Sequence, residues 1–157
     1  MISEHDYYMG RDAAYPDELT AEIRINVAKL IPRVNAIIAM MARDGIAPAE
    51  DASTHCAVAS GWRPGAVNAG IANAAARSKH MTGEAVDLRD NPERELCRWA
   101  LANPDALVTM GLWMEDPRWT PGWLHLQCVP PKSGNLVFVP SSAPPMVAAL
   151  KEQGGVA

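Results

Sequence analysis

Residues 78–89 read Ser78-Lys79-His80-Met81-Thr82-Gly83-Glu84-Ala85-Val86-Asp87-Leu88-Arg89, and this stretch decides the fold. Its second half alternates, which predicts a strand over 84–89 with Val86 and Leu88 on one face and Ala85 and Asp87 on the other. Its first half carries a histidine seven positions before Asp87. On one continuous helix those two side chains lie about 10.5 Å apart along the axis. Two ligands at ~2.0–2.2 Å from one ion cannot be that far apart. If both bind metal, the chain must fold back between them, and Gly83 supplies the backbone freedom for the bend.

A second alternating stretch, Trp123-Leu124-His125-Leu126-Gln127-Cys128-Val129, predicts a strand that Pro130-Pro131 terminates. Leu124, Leu126 and Cys128 share one face; Trp123, His125 and Gln127 share the other. Paired antiparallel with both apolar faces on the core, the two strands bring Asp87 and His125 onto one face. A third strand is expected over 111–115, with Leu112 and Met114 facing one way and Trp113 and Glu115 the other. Short strands are expected over 56–60 and 136–139. The Gly61-Trp62-Arg63-Pro64-Gly65 stretch is a turn by composition.

Ile23, Val27, Leu30, Val34, Ile37 and Met41 recur at helical spacing. Thr20 is placed to cap this helix and Gly45 to end it, and Pro32 should kink it. Residues 66–78 hold a short helix and a loop. Asn91-Pro92 begins a further helix with Leu96, Trp99 and Ala100 inward. A last helix runs between Pro144-Pro145 and Gly154-Gly155. The first 18 residues, with Tyr7, Tyr8 and Tyr15, form an arm that packs on the domain. Helices and strands mix without a regular βαβ alternation, so the expected class is α+β: a small antiparallel sheet with helices packed on one side and a metal site on the open face.

At 157 residues the chain is one domain, with residues 55–130 as the motif-bearing core. Apolar residues are 48% and charged residues 20%, which excludes a disordered tail or a coiled coil. The net charge is −4, with no Lys/Arg cluster, so no nucleic acid partner is expected. The N-terminal segment does not read as a signal peptide, and the longest apolar run, 36–42, is far short of a membrane span. Synthesis in the cytoplasm and a monomer are the expectations. Cys56, Cys97 and Cys128 are three thiols without CxxC spacing, so no disulfide framework is expected. A cysteine hydrolase pairing His55 with Cys56 is disfavoured, because adjacent strand residues face opposite ways.

Taken singly, His125 reads as a hydrogen-bonded core histidine and His80 as a surface loop histidine. Taken with Asp87, they read as three protein ligands that leave one position open, the requirement of a catalytic zinc site. Such a site needs a base that is not itself a ligand. Glu115 is the candidate, with Asp116, Glu84 and Asp90 as weaker rivals; the tryptophans around Glu115 would raise its pKa by desolvation. Arg63 is placed to hold a carboxylate or stabilise an oxyanion.

At these residues the sequence resembles the LAS-type zinc peptidases: D-Ala-D-Ala carboxypeptidases, D-Ala-D-Ala dipeptidases and the L-alanyl-D-glutamate endopeptidases of phage endolysins. The family pattern is S-G-[YW]-R, then S-x-H-x(6)-D, then a histidine on a later strand. Here these are Ser60-Gly61-Trp62-Arg63, Ser78 to Asp87, and Trp123-Leu124-His125. The resemblance implies zinc on His80, Asp87 and His125. It implies that Arg63 contacts substrate or the developing oxyanion and that Ser78 supports the substrate site. It further implies hydrolysis of a peptide bond in the peptidoglycan stem peptide or cross-link, after release to the cell wall. Many members carry a catalytic Glu three residues before the last ligand, where this chain has Gly122. That departure leaves a second reading open, a non-catalytic zinc-containing binding or structural module of a phage or prophage.

Overall fold

The computed structural model describes residues 1–72 and 74–140. In chain order the helices are α1 (Glu4–Tyr8), α2 (Arg11–Ala14), α3 (Ala21–Arg43), α4 (Gly65–Ala69), α5 (Glu95–Ala102) and α6 (Pro104–Met110). The strands are β1 (Val58–Ser60), β2 (Ala85–Arg89), β3 (Trp113–Glu115), β4 (Trp123–Gln127) and β5 (Val137–Phe138). The helix expected between residues 144 and 155 lies outside the described residues.

The five strands form one sheet in the order β1-β2-β4-β3-β5. All neighbours are antiparallel except β3 and β5, which run parallel. The class is the expected α+β. The central pairing sets Asp87 against His125, Val86 against Leu126 and Leu88 against Leu124. Alternation therefore divides the sheet as the sequence predicts. Val86, Leu88, Leu124, Leu126 and Met114 are fully buried in one core with Val27, Leu30, Val34, Ile37 and Met41 of α3.

The helix α3 begins where Thr20 accepts a hydrogen bond from the Ile23 amide, and it ends at Asp44-Gly45, with Gly45 in the left-handed region. It runs unbroken past Pro32. Residues on both sides of the proline, Leu30, Ile31 and Val34, are buried, and this packing holds the turn that lacks a donor. By length and composition α3 is also apolar enough to cross a membrane. Its buried stripe belongs to the core just described.

Two boundaries differ from expectation for local reasons. The helix α5 starts at Glu95 rather than at Asn91-Pro92. The Asp90 carboxylate accepts from the amides of Leu96 at 2.9 Å and Cys97 at 3.0 Å, and so serves the orphan donors of the first turn from outside it. Arg94 meanwhile takes a left-handed conformation. The helix α6 has no counterpart among the sequence expectations, although Pro104 at its first position is a helix-start signal.

The N-terminal arm folds into α1 and α2. Ser3 and Asp6 form a reciprocal cap on α1. Tyr7 and Tyr8 are buried, and Asn35 of α3 bonds both the amide and the carbonyl of Ile2. The arm is therefore part of the core, and it reaches the site.

Candidate metal centre

The site begins with a close approach of two backbones. A Cβ on Gly61 would sit 1.8 Å from the Tyr7 carbonyl oxygen, so only glycine fits there. That contact lets the Trp62 amide donate to Tyr7 O at 3.3 Å. The Tyr7 hydroxyl donates to Ala85 O at 2.9 Å, and Arg11 donates to Trp62 O at 2.7 Å. The turn after β1 is thereby fixed between the arm and β2.

The same turn positions His80. The Arg63 amide donates to His80 O at 3.1 Å, and the Trp62 indole donates to Met81 O at 3.2 Å. Ser78 Oγ accepts from the His80 amide at 3.4 Å. Beyond His80 the chain reverses at Gly83, whose φ is +74°; a Cβ there would lie 2.9 Å from Ile23 O of α3. The fold-back required between His80 and Asp87 is this turn.

His80, Asp87 and His125 meet as a result. His80 Nε2 lies 3.3 Å from His125 Nδ1 and 3.3 Å from Asp87 Oδ2, and His125 Nδ1 lies 2.8 Å from Asp87 Oδ1. Bonds of ~2.0–2.2 Å at tetrahedral angles put ligand atoms roughly 3.3–3.6 Å apart. The three groups can hold a metal ion with little rearrangement. Two imidazoles and a carboxylate suit a divalent transition ion better than calcium or magnesium. The three are 2%, 4% and 7% exposed respectively, so the face expected to be open is largely covered, and Phe138 stands edge-on to His125.

Burial disfavours the charged form of Asp87, but the neighbouring imidazoles and their hydrogen bonds outweigh it and hold the carboxyl well below its usual range. Burial also keeps His80 below its ordinary value against the pull of Asp87. For His125 burial acts downward too, yet the hydrogen bond and charge of Asp87 and the charge of Glu115 leave it raised. Of the two imidazoles, His125 holds a second proton more readily.

Arg63 is committed within the protein. Its Nη2 donates to Asp87 Oδ2 at 2.8 Å and its Nε to Ser60 Oγ at 2.7 Å. Its first visible task is to orient the Asp87 carboxylate. Glu115 ends β3. The pairs Trp113–Gln127 and Met114–Leu126 run in register, and one further step in that register would set Glu115 opposite His125, whose charge it feels. Ser60 pairs with Asp87 and Asp87 with His125 across the sheet. Directly opposite residues have Cβ atoms about 4.5–5.5 Å apart. Burial raises the Glu115 pKa, and the charge of Asp87 adds to the rise, while His125 and Arg63 oppose it.

Gly122 has a φ of +89°, which disfavours a glutamate at the place the family pattern uses. Among the rival carboxylates, Asp90 caps α5, Glu84 pairs with Lys79 at 3.0 Å, and Asp116 pairs with Arg118 at 2.6 Å. His55 is exposed, with Glu50 3.8 Å away, and the three cysteines are free. Two residues of the site were not singled out in the sequence. Ser60 anchors Arg63, and buried Gln127 lies beside His125, its Oε1 3.4 Å from Nε2. Strand alternation, which puts Gln127 on the His125 face, was the available signal. No protein-family model, curated protein or solved structure matches this chain.

Proposed function

We propose that this chain is a zinc-dependent peptidase that hydrolyses a peptide bond in the peptidoglycan stem peptide or cross-link. The observation that carries the reading is the convergence of His80 Nε2, Asp87 and His125 Nδ1 at separations close to tetrahedral edges, with Glu115 close enough to act on the charge of His125. The motif resemblance supplies the substrate class.

When bound, the ion supplies Lewis acidity, polarising a carbonyl and making water acidic near neutral pH. His80, Asp87 and His125 would hold it. Arg63 keeps Asp87 aimed inward and adds positive charge beside a developing oxyanion. Glu115 takes the proton of the attacking water and passes it to the leaving amine. Burial raises its pKa, which favours the second of these transfers by making the carboxyl a better carrier of the proton.

Gly122 favours the second reading, a zinc-containing module without turnover. Incubation with purified murein decides between them. Release of new amino termini, abolished by a chelator and by Glu115→Ala, supports the peptidase. Stoichiometric zinc without any release rejects the peptidase and leaves the module.

A further inference from the structure

Gln127 is 5% exposed, sits on the site face at the end of β4, and plays no part in the chemistry above. Its amide is oriented by the backbone. The Nε2 group donates to Val129 O, a carbonyl that can only accept. A flipped amide would set two oxygens against each other, so Oε1 is the atom that faces His125 Nε2 at 3.4 Å. An amide oxygen can only accept, and His125 Nε2 must then carry the hydrogen. His125 Nδ1 lies 2.8 Å from the ionised Asp87 Oδ1, which can only accept, so without an ion Nδ1 carries a hydrogen as well; because Gln127 holds the Nε2 hydrogen, Nδ1 is the nitrogen that would give up its hydrogen to an ion.

His80 is pinned in the mirror sense. Its Nδ1 lies 2.9 Å from Gly61 O, which can only accept, so its Nε2 carries the lone pair. Each imidazole thus has its outer nitrogen tied to an oxygen acceptor and its inner nitrogen turned to one shared point.

We propose that Gln127 is a positioning residue that selects the metal-binding tautomer of His125 through its Oε1, and so sets the affinity of the site. The inference rests on the metal-site reading, not on hydrolysis. Removing an outer-shell partner of a ligating histidine typically weakens metal affinity about 10–100-fold. The backbone link makes Gln127 specific to this strand end, because Val129 lies just before Pro130-Pro131 and its carbonyl is held in place there.

The test is a Zn2+ titration of the full chain against a chromophoric chelator, for wild type and Gln127→Met, which keeps the volume and loses the acceptor. The expected result is a ~10–100-fold loss for Gln127→Met with little change in the metal-free melting temperature. Equal affinity of wild type and Gln127→Met overturns the proposal. Wild type that binds no zinc overturns the metal-site reading beneath it. A second measurement needs no variant. Nitrogen-15 shifts of zinc-loaded wild type should show His125 protonated at Nε2, and protonation at Nδ1 instead overturns the proposal.

Discussion

Gly61→Ala is the substitution whose cost follows most directly from the coordinates. The new Cβ would lie 1.8 Å from Tyr7 O and 2.7 Å from Tyr7 C, where ordinary contact begins near 3.4 Å. Both obstacles are backbone atoms, so no side-chain rotation relieves the clash. The chains must separate by about 1.6 Å, the difference between those contacts. Overpacking of this kind costs ~1–3 kcal/mol. The Trp62 to Tyr7 hydrogen bond is lost with it, at ~0.5–1.5 kcal/mol. The combined cost is about 2–4 kcal/mol. For a domain of this size each kcal/mol shifts the midpoint by ~2–4 °C, so the melting temperature should fall by roughly 4–16 °C. The same displacement pulls Gly61 O away from His80 Nδ1, and zinc affinity should fall as well. Thermal melts of the metal-free protein and a chelator titration read the two effects separately. Gly122→Ala is the control, because its Cβ meets nothing within 4 Å. It should cost only the ~1–2 kcal/mol of a left-handed alanine and leave zinc affinity unchanged. A Gly61→Ala protein that melts with wild type and binds zinc equally would refute the reasoning.

Glu115→Gln should abolish ~10²–10⁴-fold of any hydrolytic rate. The Glu115 pKa is raised in the fold, so the stability that group contributes is present at acid pH and fades as pH rises through the folded value. Glu115→Gln should therefore raise the melting temperature of the metal-free protein at pH 8 relative to wild type, and the gain should vanish near pH 4; a gain independent of pH counts against the burial of this carboxyl. Asp87→Asn and His80→Ala should each remove tight zinc binding, measured as metal content after gel filtration, and retention of one equivalent in either would displace that residue from the site. Burial, with the Asp90 carboxylate beside it, pushes the Cys97 thiol up to about 12. Cys97 should resist a thiol reagent at pH 8 in the folded protein and react on unfolding, as counted by chromophore release.

Much of the site was legible because its spacing has few physical solutions. Strand alternation fixed the faces of Asp87, His125 and Glu115, but not the register of β2 on β4, since a slip of two residues keeps the same faces; the observed register joins the first two. The position of His80 followed less directly: Gly83 announced a bend but not its direction. That direction comes from Ile23 and Val27 of α3, sixty and fifty-six residues earlier, against which the glycine packs. The role of the arm was invisible for the same reason. Nothing local in Tyr7 says that its carbonyl will lie against Gly61. In the sequence Arg63 reads as a substrate or oxyanion contact, and its bond to Asp87 was not legible because it depends on Ser60 being paired to that residue across a strand irregularity.

The two oxygens of Asp87 bear on how the site would work as a unit. Oδ1 faces His125, while Oδ2 is shared by Arg63 and His80. The imidazoles hold this buried carboxylate in its charged form, and the guanidinium bonded to Oδ2 adds a permanent positive charge beside it that no proton exchange removes. Arg63→Ala removes that support and leaves Asp87 buried with only imidazoles for partners. A proton should then compete more strongly with the metal for the ligand set. The loss of zinc affinity in Arg63→Ala should consequently be largest at acid pH and shrink as pH rises, which titrations at pH 5.5 and 8 compare. An Arg63 whose removal lowers peptide hydrolysis but leaves zinc affinity unchanged at both values acts on substrate alone, and the ligand-orienting role assigned to its 2.8 Å bond with Asp87 would then fail.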